Sequence, residues 1–486
     1  MPIIIPANSA VAGGFSVDNS CRFDGSSSKL VKSQSAGNRQ RWTYSVWLKR
    51  CAITSTTTTF FASSGGGNVY SYLGIQSDKI RWLDYDSSNN SNLITTAVFR
   101  DPSAWYHVVF AFNSNLGSGE TDKEERTKLY INGVRVTSFG TAAYAGHNQD
   151  SGVNVNSANF ILSSNQDQSS GSMWNGYMAE AHFIDGTAYQ ADSFGEFDSD
   201  SGVWKPIEVS GLTYGTNGYY LDFKDSANLG NDANGGTDFT ESGLAATDQT
   251  QDTCTNNFAT INPLDNFYAN AVFAEGNTKI TTNSSAEAMN TGTIALSGGR
   301  WYYEIDIIDR GSTAQVGFTP HGSRVLSGVS GKAGDVTPFT QAYMNTGKVQ
   351  TGNGSGGQTD LATLSSYTTG NIIGVYLDLV DFKSYWSKDG VLQNSGTGLN
   401  ITALNANSHG VGGGTGVYIP YVGDNSSGTP AVFELNFGNP FQSQSSSVTD
   451  DNGFGKFEYS PNITGDGTAK SFFAICTKNL ASTGGE

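Results

Sequence analysis

Two clusters of side chains carry chemistry on inspection. Residues 82–86 read Trp82-Leu83-Asp84-Tyr85-Asp86, and Ser87-Ser88-Asn89-Asn90-Ser91 follow. Aromatic rings stack on the apolar face of a sugar, and acids and amides hydrogen-bond its hydroxyls. The second cluster is Glu304-Ile305-Asp306-Ile307-Ile308-Asp309. On a strand, residues i and i+2 share a face, so Glu304 and Asp306 project together and Asp309 is reached through a bulge. Two carboxyls about 5–5.5 Å apart are what retaining glycoside hydrolysis needs. Other catalytic patterns are missing: no Gly-x-Ser-x-Gly elbow, no HExxH and no phosphate loop occurs. The five histidines are scattered, and His107 and His182 sit mid-strand, where a sheet residue is the simpler reading.

Strands must position these groups. Residues 42–48 (Trp-Thr-Tyr-Ser-Val-Trp-Leu) and 105–112 alternate apolar with small polar residues, the period of a half-buried strand. Asn132-Gly133 and Asp389-Gly390 are hairpin turns, because both pairs accept positive φ. Helical periodicity is scarce. With 60 Gly, 11 Pro and 15% charged residues among 486, the composition suits many short strands joined by tight turns. Aromatics at 12% argue for packed cores over disorder.

A net charge of −17 repels phosphate, which excludes nucleic acid and disfavours an anionic membrane surface. No stretch reaches the ~18 apolar residues of a membrane span, so insertion is not expected. Cys21, Cys51, Cys254 and Cys476 form no CxxC pair and read as small core residues of a chain made in a reducing cytoplasm. Residues 1–6 lack the basic start of a signal peptide.

Between residues 15 and 205 several pieces resemble the laminin-G/concanavalin-A-like lectin superfamily. They are residues 21–25, 42–49, 105–110, 128–134 and 175–186, in the family's order. Residues 175–186 and Tyr220-Leu221-Asp222-Phe223 are also similar to sequences of marine tailed bacteriophages. The resemblance implies a jelly roll of two antiparallel sheets, with a Ca²⁺ or sugar site at loop tips or on the concave face. For Ca²⁺, Asp84, Asp86, Asp167 and Asp185 are the candidates; the same acids serve as solvated turn residues. For sugar, Tyr70, Tyr72, Trp82, Asp84, Tyr85, Asp86 and Trp174 are the candidates; the same aromatics serve as sheet core.

Residues 265–445 resemble a SPRY domain through 299–305, 315–318, 370–379, 385–390, 419–422 and 433–441. That implies a second β-sandwich which binds protein through end loops. The Gly-rich loops 319–357 and 408–416 are the expected contact surface, with His321, Arg324, Tyr343 and His409 as candidate contacts. The 304–309 run resembles the Glu-x-Asp-x-x-Glu strand of laminarinase-like glycosidases. It ends in the shorter Asp309, however, and fits the SPRY strand in register.

The expected architecture is all-β: two antiparallel β-sandwich (jelly-roll) modules in tandem with a short C-terminal β segment. The expected divisions are a docking segment 1–14 containing Ile3-Ile4-Ile5, a lectin-like module 15–205, a connector 206–264, a SPRY-like module 265–445 and a C-terminal segment 446–486. The expected function is that of a non-enzymatic phage virion appendage, a tail fibre or decoration subunit. Its partners would be host-surface glycan or protein and other virion proteins, and it would work as a homo-oligomer, a trimer if a fibre. No cofactor besides Ca²⁺ is implied. The rival readings are a purely structural virion subunit and a glycan-degrading enzyme.

Overall fold

A computed structural model describes residues 14–119, 122–265, 271–283, 288–320, 340–352, 358–401, 417–424 and 428–483. All but Gly14 of the expected docking segment lies outside them, as do His321, Arg324 and His409. The fold is all-β, in several antiparallel sheets. Among the described residues no helix is long and apolar enough to cross a membrane. The chain divides into two units, residues 11–256 and a unit containing residues 257–486.

In the 11–256 unit the alternating runs become long central strands. The first sheet runs in the order Val134–Arg135, Thr127–Ile131, Trp105–Asn113, Arg41–Arg50, Asn175–Asp185, Ser20–Asp24 and Gln249–Thr250. The second runs Phe139–Ala143, Asn89–Thr95, Lys79–Asp86, Val69–Gln76, Thr58–Ser64, Asn159–Leu162, Lys29–Ser33 and Thr240–Ser242. Trp42, Tyr44, Val46 and Leu48 face the core with Phe110, Phe112, Trp82 and Phe61. The Trp82 ring lies 5.5 Å from that of Trp42 and 4.4 Å from that of Phe110. Aromatic pairs at such spacing add to area burial. The Asn132-Gly133 turn has φ of 47° and 78° and pairs Ile131 with Val134, as the hairpin signal predicts. A Cβ on Gly133 would also strike the Trp204 ring.

The first sheet is covered on its other face too. Phe194, Val209, Leu212 and Tyr214 pack over Val109, Tyr130 and Ile184, with Trp204 alongside. The Asn175–Asp185 strand is therefore buried nearly throughout instead of alternating.

The expected connector is part of this sandwich. Tyr219–Leu221 pairs with Ala181–Phe183, Gln249–Thr250 with Ser20–Cys21 and Thr240–Ser242 with Lys29–Val31. Tyr219, Leu221 and Phe239 are core residues. Each such side chain contributes roughly 1.5–3 kcal/mol by burial, which explains why 206–256 does not stand apart.

In the second unit one sheet is centred on Arg300–Asp309, Ile372–Asp378, Lys383–Lys388 and Val432–Asn436. The other is centred on Ala314–Pro320 and Tyr418–Asp424. Trp301, Tyr303, Ile305, Val316, Phe318 and Phe433 fill the space between. The expected C-terminal segment is not separate either. Phe473–Ala474 adds in parallel to Trp301–Tyr302, and Phe457, Phe472 and Cys476 pack on Tyr302, Tyr376 and Tyr385.

Candidate functional site

The second sheet of the 11–256 unit presents an aromatic outer face. Register places Tyr70 opposite Tyr85, Tyr72 opposite Leu83 and Gly74 opposite Arg81. Leu83 in turn faces Asn92, and Tyr72 faces Ala62. With a side-chain period of two, these residues share one face. Ala62, Tyr72, Leu83 and Ile161 form a small cluster there, flanked by Val31 and Tyr70. The Tyr70 and Tyr85 rings stack with centroids 5.0 Å apart at 22°, and both are half-buried. Arg81 lies with its guanidinium carbon 5.5 Å from the Tyr72 ring centroid, and its Nε donates to Asn92 Oδ1 at 3.1 Å. Burial raises the Tyr70 hydroxyl pKa, with Tyr85 and Asp167 adding to it and Arg81 opposing. Asp167 is exposed and accepts from Gln166 Nε2 at 2.9 Å. Stacked rings, a guanidinium and an amide are components that bind a polyhydroxylated ring.

Residues 23–192 match the concanavalin A-like lectin/glucanases superfamily. The outer-face platform lies within this lectin-like domain. No curated protein matches the chain. Among solved structures, the chain is similar to the SPRY domain of human HERC1 at 16% identity, over 36% of this chain and 96% of that one, with a TM-score of 0.27. It is similar to the heptameric SAP-like pentraxin of Limulus polyphemus at 16% identity, over 36% and 78%, with a TM-score of 0.28. The mouse laminin α1 chain domains LG4-5 are similar at 12% identity, over 87% and 91%, again with a TM-score of 0.28.

Of the expected sugar residues, Tyr70, Tyr72 and Tyr85 meet on the platform. Trp82 and Asp84 do not, because the pleat turns them inward: Trp82 is 1% exposed in the core and Asp84 is 0% exposed. Asp84 accepts from Ser71 Oγ at 2.6 Å, Gly152 N at 2.8 Å and Gln149 Nε2 at 3.1 Å, anchoring a loop at the sandwich end. Trp174 is also core, edge-on to Phe60 at 5.8 Å. Asp86 is exposed at its strand's end. Arg81, Leu83 and Asn92 belong to the face and were missed. The signal for them was parity with Tyr85 along 81–85 and the partner register.

The proposed Ca²⁺ ligands do not converge. Asp185 accepts from Asn38 N, Asn154 Nδ2 and Asn217 N at 2.8, 2.9 and 3.2 Å, knitting three loops, and burial raises its pKa. N–H and O–H donors aimed at Asp84 and Asp185 hold their oxygens where a cation would need them. Among the described residues no three His, Cys, Asp or Glu side chains come together as a metal site. This set does not fit Ca²⁺.

In the second unit Tyr343 is a core residue whose hydroxyl donates to the Ser365 carbonyl, so it offers no contact surface. Glu304 is buried and takes four donors, from Tyr302, Asn436, Glu458 and Tyr459. Asp306 is half-buried and pushed up to about 6 by burial, then by Glu434 and Asp389. Asp309 is exposed and accepts from Gly311 N, as a turn residue does. With Glu304 tied to backbone and Asp309 in a turn, the three acids build no hydrolytic pair.

A buried polar cluster lies between the first sheet and its covering strap. Trp204 Nε1 donates to His107 Nδ1 at 2.9 Å, and His107 Nε2 meets Ser45 Oγ at 2.9 Å. An indole N–H only donates, so Nδ1 is bare and Nε2 carries the proton. A serine nucleophile needs the opposite arrangement, so the pair holds the strap and activates nothing. Burial, then His182, lowers the His107 pKa from 6.5 to about 3. A depressed histidine gives stability that is present above the unfolded pKa and lost as pH falls from 6.5 towards 3. The expected loss is on the order of 4 kcal/mol by pH 3. Melting the 11–256 unit across that range checks this. A His107→Gln variant should start less stable and lose less on acidification; equal acid sensitivity in both proteins would refute the assignment.

Proposed function

We propose that the chain is a glycan-binding protein that serves as an appendage of a tailed-phage virion, gripping host-surface sugar on the outer face of the second sheet of its lectin-like unit. The observation that carries the glycan reading is the half-buried Tyr70–Tyr85 stack beside Tyr72, Arg81 and Asn92. A sugar ring lies flat on such rings while its hydroxyls find the amide and the guanidinium. The match of residues 23–192 to the lectin superfamily supports it. The phage setting rests on the resemblance of residues 175–186 and 220–223 to marine tailed-phage sequences. One shallow contact of this kind binds weakly, and several copies on one particle raise it by avidity. A homo-oligomer, a trimer if the appendage is a fibre, accords with that need.

The test is adhesion of the full chain, displayed multivalently on beads, to host envelope polysaccharide. Tyr70→Ala with Tyr85→Ala should lower retention at least tenfold, with the melting temperature shifted only slightly because both rings are half-buried. Trp82→Ala should act differently, costing about 3–5 kcal/mol of stability as a large core truncation. Full retention by the double tyrosine variant would overturn the platform. Absence of the chain from purified particles would overturn the virion role.

A further inference from the structure

Arg81 deepens that reading. Several cations of the unit are matched by carboxylates, Lys32 by Asp232, Arg50 and Arg100 by Asp78, Arg135 by Glu125 and Lys205 by Asp198, and buried Arg126 is held by backbone carbonyls. Arg81 is held differently. Its guanidinium lies over the Tyr72 ring and its Nε–H goes to the neutral Asn92 amide. Among the described residues no carboxylate pairs with it. The stacking contact and the Asn92 bond hold the plane in place, which lowers the entropy lost on binding a ligand. The Arg81 side chain also hydrogen-bonds the Tyr72 hydroxyl, and its remaining N–H groups suit an oxyanion. This guanidinium stands on the sheet face that carries the Tyr70–Tyr85 stack, one cross-strand pair beyond Tyr72 and Leu83.

We infer that Arg81 makes the platform selective for an anionic sugar, with a ring on the Tyr70–Tyr85 stack and its carboxylate or sulfate ester on the Arg81 guanidinium. This rests on the platform being the glycan site. A chain of net charge −17 repels acidic polysaccharide in general, so attraction to one requires a local cation of this kind.

The experiment uses the full chain and four polymers: polygalacturonate and its methyl ester, dextran sulfate and unmodified dextran. Each pair shares a backbone and differs in its anionic group, so the two pairs separate carboxylate from sulfate recognition. At least one charged polymer should bind tenfold or more tightly than its neutral partner, and the preference should weaken with salt. Arg81→Gln should bring that ratio close to one, lowering retention of the charged polymer far more than that of its neutral partner. Arg81→Lys, which keeps the charge without the guanidinium, should retain only part of it. If Arg81→Gln keeps the full ratio, or if the native chain binds neutral and charged partners alike, the selectivity inference falls and the platform stands. If none of the four binds, and the Tyr70→Ala, Tyr85→Ala protein adheres to host polysaccharide as well as the native chain, both fall.

Discussion

Asp252→Ala is expected to cost the 11–256 unit about 3–5 kcal/mol, which for a domain this size lowers its melting temperature by roughly 10 °C. Asp252 Oδ2 sits 2.6 Å from Lys49 Nζ, and both side chains are 0% exposed. Trp105 Nε1 donates to the other carboxylate oxygen at 3.0 Å, and Ser20 Oγ donates to the Asp252 carbonyl at 2.6 Å. The Lys49 ammonium also lies 5.5 Å from the Tyr177 ring centroid. Removing the carboxylate takes away the opposite charge that made burial of this ammonium tolerable and leaves the indole N–H without its acceptor. Replacing both partners together, Lys49→Met with Asp252→Leu, should recover most of the loss, because a buried pair exchanged for apolar side chains of similar volume is often neutral or better. Denaturant unfolding of the two variants decides the matter. A loss under 1 kcal/mol for Asp252→Ala, or no recovery in the double variant, would show that the pair does not hold the 250–252 segment to the sandwich.

Asp252 also shows where sequence patterning stops. Long strands such as Arg41–Arg50 and Trp105–Asn113 announce themselves by alternation, and the Asn132-Gly133 and Asp389-Gly390 turns by their chemistry. The pieces from Tyr219, Thr240 and Gln249 are two or three residues long. So short a segment carries no period, and only its partner strand makes it a strand. Read alone, 206–264 is a polar run; paired, its 206–256 part closes both sheets of the sandwich. The same holds for 446–476, whose anchoring carboxylate, Glu304, lies 154 residues before Glu458.

The candidate site was half legible for a related reason. Alternation along 81–85 separates Trp82 and Asp84 from Arg81, Leu83 and Tyr85, whatever the tertiary structure. Which set faces the core depends on Trp42 and Phe110 meeting Trp82 from the other sheet. Reading 82–86 as one sugar-binding run ignored the pleat, and so it assigned Trp82 and Asp84 to solvent. Arg81 attracted no notice because a lone cation on a strand has no meaning until its neighbours are known.

Glu304→Ala is expected to destabilise the 257–486 unit by about 3–4 kcal/mol, through four stranded donors and the space left behind. Glu304 Oε1 accepts from Tyr302 Oη at 2.9 Å and Tyr459 N at 2.7 Å, while Oε2 accepts from Glu458 N at 2.9 Å and Asn436 Nδ2 at 3.0 Å. These bonds fasten the 457–459 segment to the sheet, and Phe457 then seals against Tyr302 with ring centroids 4.9 Å apart. Burial outweighs the donors and pushes the carboxyl up to about 7 from the usual 4.5. The folded state therefore binds a proton more tightly than the unfolded chain between pH 4.5 and 7. On this group's account stability is highest below 4.5 and falls as pH rises through 7, by on the order of 3 kcal/mol. Glu304→Gln retains the volume and abolishes that titration. Its deficit relative to the native protein should accordingly be larger at pH 5 than at pH 8, because only the native protein gains from acidification at this position. A deficit that stays constant with pH would mean that Glu304 titrates as an ordinary acid. A Gln variant as stable as the native protein at both pH values would mean that the 457–459 segment is fastened by its aromatic contacts alone.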